Sequence, residues 1–196
     1  MSDTELFRSQ DQIQARVKEL AQQISSDVTD RPILVAVLKG SVIFLADLIR
    51  ELSVEADIDF MSISSYPGAG QRSGVVRIVK DMEMLVEDRE VIVVEDVVDT
   101  GLTLAFLLRN LETRGPRSLR ICTLINKGVR RIVEPFIHYS GFETSEFLVG
   151  YGLDFKGRYR NLPDLLTVKD LPMLVADPRR LEYLYTEGPA AQLGEK

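Results

Sequence analysis

Apolar residues recur along this chain with a period that changes several times. Ile13, Val17, Leu20 and Ile24 are three and four positions apart, so an amphipathic helix is expected over residues 11–24. The run ILVAVLKGS (33–41) reads as a buried strand that ends in a small-residue turn. After it, Leu45, Leu48, Ile49 and Leu52 mark one face of a helix. IDFMSISSY (58–66) alternates as a strand does, and VVRIV (75–79) resumes the strand pattern. Between them PGAGQRSG (67–74) has three glycines, a proline and no apolar period, which predicts a mobile loop at the tip of a long hairpin.

The second half repeats the theme. VIVV (91–94) is a strand, and Leu104, Leu107, Leu108 and Leu111 give a helix that Gly115-Pro116 terminates. SLRICTLI (118–125) and EFLVGYG (146–152) read as two more strands, and RRLEYLY within 175–196 as a helix docked on the body or on a neighbour. Strand–turn–helix units with wholly apolar strands imply an α/β fold, a central parallel sheet flanked by helices on both faces. Ligands of such sheets bind in the crevice at the carboxyl ends of the strands. Residues 1–187 are expected to form a single domain, with 188–196 a disordered tail.

Composition narrows the class. With 45% hydrophobic and 28% charged residues among 196, the chain is an ordinary globular protein with a full core. No apolar run reaches membrane-spanning length, and MSDTELFRSQDQIQ lacks the basic start and apolar stretch of a secretory signal, so neither a membrane nor export is expected. The single cysteine, Cys122, lies within an apolar run and is expected in the core, which fits a reducing compartment. A net charge of −6 argues against a nucleic-acid partner. The single histidine, His138, is read as structural; with one histidine and one cysteine, transition-metal sites and histidine triads are not expected.

Candidate chemistry concentrates in VIVVEDVVDTGLTL (91–104). Glu95 and Asp96 end a strand, Asp99 follows, and Thr100-Gly101-Leu102-Thr103 opens a helix. Backbone N–H groups, two hydroxyls and a helix N-terminus suit a phosphate, and Gly101 allows close backbone approach. Carboxylates beside a phosphate site make sense for a ligand that also carries hydroxyls or a hard cation such as Mg2+. A phosphorylated sugar supplies both. The alternative is plain: Asp99 caps the helix, and Glu95 and Asp96 are solvated strand-end charges. Neither GxxxxGK[ST] nor GxGxxG occurs. Lys39, Gly40 and Ser41 follow the first apolar strand and should reach the same crevice, with Ser41 also suited to cap a helix. Lys127 follows another strand and should reach it too.

Four apolar residues, two acids, two apolar residues and Asp-Thr-Gly-x-Thr resemble the phosphoribosyl-diphosphate signature of type I phosphoribosyltransferases. LKGS (38–41), SSY followed by a glycine-rich loop (64–74), and FLVGYGLDFKGRYRNLPDL (147–165) narrow the resemblance to bacterial hypoxanthine phosphoribosyltransferases, over about residues 31–166. The resemblance implies that family's fold, with a small hood and a long flexible hairpin loop. It implies purine salvage: transfer of 5-phosphoribosyl from phosphoribosyl diphosphate to a 6-oxopurine base, with Mg2+, in a cytoplasmic homo-oligomer, dimer or tetramer.

Residue roles follow from the same resemblance. Asp99, Thr100, Gly101, Leu102 and Thr103 would grip the 5′-phosphate. Glu95 and Asp96 would face the ribose hydroxyls and Mg2+, and Asp99 would take the N7 proton of the purine. Lys39, Gly40 and Ser41 would present N–H groups to diphosphate, after a cis Leu38–Lys39 peptide, and Arg160 would bind diphosphate as well. Ser65 and Tyr66 belong to the loop that closes over the reacting centre. Lys127 would donate to the 6-oxo group, Phe147 would stack on the purine, and Leu148 would offer its carbonyl to the base edge. Asp154 would sit near a second Mg2+ through water. Many bacterial relatives have an acid just before the lysine, whereas this chain has Asn126. Two other classes compete: a regulator on the same fold that binds RNA, which would need a basic face, and a phospho-accepting receiver domain, which is shorter and has no place for DTGLT.

Overall fold

The computed structural model of the chain describes residues 3–66, 75–128 and 131–187. In chain order its elements are β1 (Thr4–Arg8), α1 (Gln10–Asp27), β2 (Ile33–Leu38), α2 (Ser41–Glu51), β3 (Asp57–Tyr66), β4 (Val75–Lys80) and β5 (Glu90–Val98). There follow α3 (Leu102–Glu112), β6 (Ser118–Asn126), β7 (Tyr139–Glu143), β8 (Leu148–Val149), β9 (Leu165–Val168), α4 (Leu171–Ala176) and α5 (Leu184–Glu187). The glycine-rich stretch 67–74 and the tail 188–196 lie outside the described residues. Two compact units emerge, one from Val17–Ser145 and one from the residues up to Arg16 together with those from Glu146 onward.

The larger unit is a six-stranded sheet in the order β4-β3-β2-β5-β6-β7. The neighbours from β3 to β7 are parallel, and only the β3–β4 ribbon is antiparallel. The wholly apolar runs of β2 and β5 are explained by this arrangement, because both of their faces are covered. Val35, Val37 and Val93 pack with Leu104, Leu107 and Leu111 of α3. Leu34, Ala36, Ile92 and Val94 alternate to the other face and are equally inaccessible. On α2, Phe44, Leu45 and Leu48 are buried. Cys122 is a fully buried thiol, as expected.

His138 is held by structure. Its Nδ1 accepts from the Ile121 N–H at 3.2 Å. Burial pushes its pKa below the usual 6.5, with help from the Arg120 charge, so the neutral acceptor form is favoured.

The smaller unit corresponds to the expected hood and differs most from the sequence expectation. EFLVGYG was expected to add a strand to the parallel sheet. Only Leu148–Val149 is strand, and it belongs to a three-stranded antiparallel sheet, β1-β9-β8. Gly150 and Gly152, at φ 97° and 95°, turn the chain out of the ladder. β1, β7 and β9 were not anticipated: they have 5, 5 and 4 residues, too short to show a period. The RRLEYLY piece packs within this unit, where Leu181 and Leu184 join Tyr159, Leu162 and Leu166 in a core of its own.

Candidate active site

β5 runs further than its apolar positions suggest. Its ladder with β6 continues through Glu95↔Thr123 and Val97↔Ile125 to Val98↔Asn126. Glu95 is therefore inside the sheet, with 7% of its surface exposed. Burial drives its pKa well above the usual 4.5, and the neighbouring Asp96 charge pushes the same way. Glu95 is thus not a solvated strand-end charge.

Asp96 Oδ1 accepts from the Val97 N–H at 2.8 Å. Its Oδ2 lies against the β2–α2 turn, where a Cβ on Gly40 would stand 1.4 Å from that oxygen. No side chain fits at position 40 while Asp96 keeps its place. The turn before Gly40 contains the cis peptide Leu38–Lys39 that the resemblance implies. Lys39 itself is exposed. Ser41 is not the helix cap: the N-cap of α2 is Gly40, and the buried Ser41 hydroxyl donates to the Val37 carbonyl at 2.6 Å. The side chain therefore braces the strand end.

Asp99 does not cap α3 either. The N-cap is Gly101, at φ 79° and with no side-chain cap. Asp99 Oδ1 is buried without a hydrogen-bond partner among the described residues. An unpaired buried acceptor is costly, so Asp99 Oδ1 calls for a partner that the described chain does not supply. The first N–H groups of α3 have no carbonyl within the helix to bond. Glu95, Asp99, Thr100, Gly101 and Thr103 line one cavity of about 200 Å3. It joins an acceptor side and a donor side, as a sugar phosphate requires.

Lys127 follows β6 and is tied to this turn through its backbone, whose N–H donates to the Val98 carbonyl at 2.9 Å. Asn126 accepts a hydrogen bond from the Arg131 guanidinium. The stretch after Arg131 was missed from sequence. Ile132 and Val133 both donate to the Thr100 carbonyl, at 3.0 and 3.2 Å, and a Cβ on Gly101 would stand 2.1 Å from the Val133 carbonyl oxygen. Gly101 is required by this crossing as well as by its positive φ. Nothing in RRIVEP marks the contact; the only local sign is the glycine.

The other expected site residues lie in the smaller unit. Leu148 is on β8 paired with Thr167, and the Phe147 ring meets Phe155 edge to face at 6.0 Å. Asp154 pairs with Arg160 at 2.6 Å and accepts from the Gly157 N–H at 2.6 Å; Arg160 also donates to the Gly152 carbonyl at 2.6 Å. These two residues are therefore brought together. Ser65 and Tyr66 close β3.

Among the described residues no group of three or more His, Cys, Asp or Glu could hold a metal. Glu95 and Asp96 are an all-oxygen pair, one of them buried. This fits Mg2+, which takes one or two carboxylates and completes its shell with water and substrate oxygens.

Comparison with known proteins gives a consistent picture. Residues 9–156 match the family model described as phosphoribosyl transferase domain. The chain is 48% identical over 160 residues to a hypoxanthine-guanine phosphoribosyltransferase of Mycobacterium avium, covering 78% of this chain and 79% of that one. Its counterpart of the same name in Bacillus subtilis is 40% identical over 163 residues, 82% of this chain and 91% of that one. Among solved structures, a Bacillus anthracis hypoxanthine-guanine phosphoribosyltransferase with HEPES in its active site superposes with a TM-score of 0.80 at 43% identity, over 84% of this chain and 98% of that one. A Trypanosoma cruzi hypoxanthine phosphoribosyl transferase gives 0.82 at 34% identity, over 89% and 95%.

Proposed function

Because the chain belongs to the phosphoribosyl transferase family, we propose that it works in purine salvage, transferring 5-phosphoribosyl from phosphoribosyl diphosphate to hypoxanthine or guanine. The products are IMP or GMP and diphosphate. The observation that carries this reading at the level of chemistry is the unpartnered, buried Asp99 Oδ1 in the cavity that also presents the Thr100-Gly101-Leu102-Thr103 turn. One cavity thereby offers a proton acceptor and a phosphate cradle. Nothing among the relatives described above favours the RNA-binding alternative.

The turn 99–103 holds the 5′-phosphate with backbone N–H groups and the Thr100 and Thr103 hydroxyls, reinforced by the α3 N-terminus. Glu95 and Asp96 accept from the ribose hydroxyls and hold Mg2+ together with substrate oxygens. When bound, Mg2+ supplies charge neutralisation for the departing diphosphate. A ring nitrogen of the base forms the new bond to the anomeric carbon as the bond to diphosphate breaks, and Asp99 takes the proton from N7. Lys39, Gly40 and Ser41 contribute backbone N–H groups to diphosphate. Arg160 is assigned to diphosphate, Phe147 and Leu148 to the purine, and Asp154 to a second Mg2+ through water. Both Asp154 oxygens already have partners, Arg160 and Gly157, which supports an outer-sphere role. Ser65 and Tyr66 are assigned to closure over the reacting centre and water exclusion. A cytoplasmic homo-oligomer, dimer or tetramer, completes the proposal. No helix among the described residues is long and apolar enough to cross a membrane.

Base choice is assigned to Lys127. An ammonium has three donors and no acceptor, so it bonds a 6-oxo group and meets another donor in adenine. Sites built this way discriminate by about 10⁴–10⁵. The test is a steady-state screen of purine bases with phosphoribosyl diphosphate and Mg2+, measuring diphosphate release. Hypoxanthine or guanine should be turned over and adenine hardly at all. Lys127→Ala should lower kcat/KM far more for hypoxanthine than for adenine. An equal loss for both bases would remove the lysine from base recognition, and no release with any purine would end the whole reading.

A further inference from the structure

A side-chain contact joins the residues on either side of Lys127, Asn126 and Arg131. Lys127 leaves β6 with its N–H on the Val98 carbonyl, and the chain returns at Ile132 and Val133, whose N–H groups converge on the Thr100 carbonyl. Both ends therefore rest on the residues flanking Asp99. Across the neck, the Arg131 guanidinium donates to Asn126 Oδ1, directly before Lys127. Asn126, Gly128 and Arg131 line a cavity of about 390 Å3 with Glu134 and Phe136. The apolar side chains of Phe136 and Ile132 are 77% and 68% exposed.

We propose that Arg131 is a positioning residue for purine recognition: by clasping Asn126 it sets the place of Lys127 relative to the phosphate turn. A half-buried lysine on a long flexible stem holds one hydrogen-bond geometry only if its backbone is fixed. Here the backbone is fixed on one side by main-chain bonds to Val98 and Thr100, and on the other by the clasp. Guanidinium geometry suits this task, since several N–H donors lie in one plane and a carbonyl oxygen accepts along that plane. The main-chain bonds to Thr100 do not involve the clasp, so the phosphate turn keeps its shape without it. Loss of the clasp should thus be felt by the base and hardly by the phosphoribosyl donor.

The inference rests on the assignment of Lys127 to the 6-oxo group, and its test separates the two. Arg131→Ala and Asn126→Ala should each raise the KM for hypoxanthine by roughly tenfold or more, as a displaced contact does, while the KM for phosphoribosyl diphosphate stays within about twofold. Because a single contact is removed either way, the double variant should be no worse than the worse single one. Asn126→Asp, which offers the guanidinium a carboxylate, should keep the low KM for hypoxanthine. Additive losses, an equal rise in both KM values, or a silent Arg131→Ala beside an impaired Lys127→Ala would overturn the clasp and leave the Lys127 reading standing. A silent Lys127→Ala would overturn the reading and the clasp together.

Discussion

Asp59 on β3 and Glu95 on β5 are carboxylates in the same sheet with nearly the same exposure, 6% and 7%, yet their proton affinities move in opposite directions. Burial raises both. In Asp59 it is outweighed by three backbone donors: Met84 and Glu83 N–H groups reach Oδ2 at 2.8 and 2.7 Å, and the Phe60 N–H reaches Oδ1 at 2.7 Å. Its pKa ends below the usual 3.8, with the Lys80 charge adding to the effect. Among the described residues Glu95 has no such cradle: burial and the Asp96 charge raise its pKa together. Burial alone therefore does not say what a carboxylate is for. A structural carboxylate has its acceptor capacity filled by the chain, and one meant for a ligand keeps that capacity open.

The comparison can be broken most sharply at Asp99, whose Oδ1 shares the unfilled condition of Glu95. Asp99→Asn should lower kcat by about 10²–10⁴, the usual contribution of a positioned base, with little change in phosphoribosyl diphosphate binding or in Tm. Wild-type kcat in this variant would place Asp99 with the structural carboxylates.

The opposite pattern is expected at the cradle. Asp59→Asn turns an amide N–H toward backbone donors and should cost about 1–3 kcal/mol of stability, with kcat at saturating substrate unchanged. Since the folded pKa of Asp59 lies below 3.8, its stabilisation is present in full above that value and disappears as pH falls through the folded one. Denaturant unfolding of wild type and variant at pH 7 and near pH 3 measures this: the gap should narrow on acidification. A constant gap would mean the carboxylate charge is not what holds the 81–84 segment.

At Glu95 the sign is reversed. The raised pKa means that the folded state keeps the proton, so its contribution is fullest below 4.5 and is lost as pH rises from there toward the raised value. Glu95→Gln should flatten the corresponding fall in Tm without substrate. The same variant should raise the KM for phosphoribosyl diphosphate and weaken the response to Mg2+. A steeper Tm profile in the variant, or an unchanged Mg2+ titration, would show that Glu95 is a structural acid like Asp59.

The parts of this protein that were legible from residue order are those whose geometry is local. A β-branched run, two acids, and a hydroxyl-rich turn opening a helix lie within 91–104, so spacing along the chain is spacing in space. Strand and helix periods likewise placed β2, α2, β3, α3 and β6, because burial on one face or two leaves its imprint on neighbouring positions. The roles in 147–165 came from family resemblance, since a strand aromatic and a surface arginine have no distinctive period.

What residue order left open is everything that depends on distant segments meeting. Asp96, where it stands, fills the space that a Cβ on Gly40 would take, and Gly101 must be glycine because the Val133 backbone crosses it. The ladder joining Thr4 to Val168 pairs residues from opposite ends of the chain in strands too short to announce themselves. Glu95 and Asp59 look alike in the sequence, each an acid in a strand. Folding surrounds one with backbone N–H donors and the other with apolar strands and a second negative charge. Charge state follows from those surroundings, which no local pattern encodes.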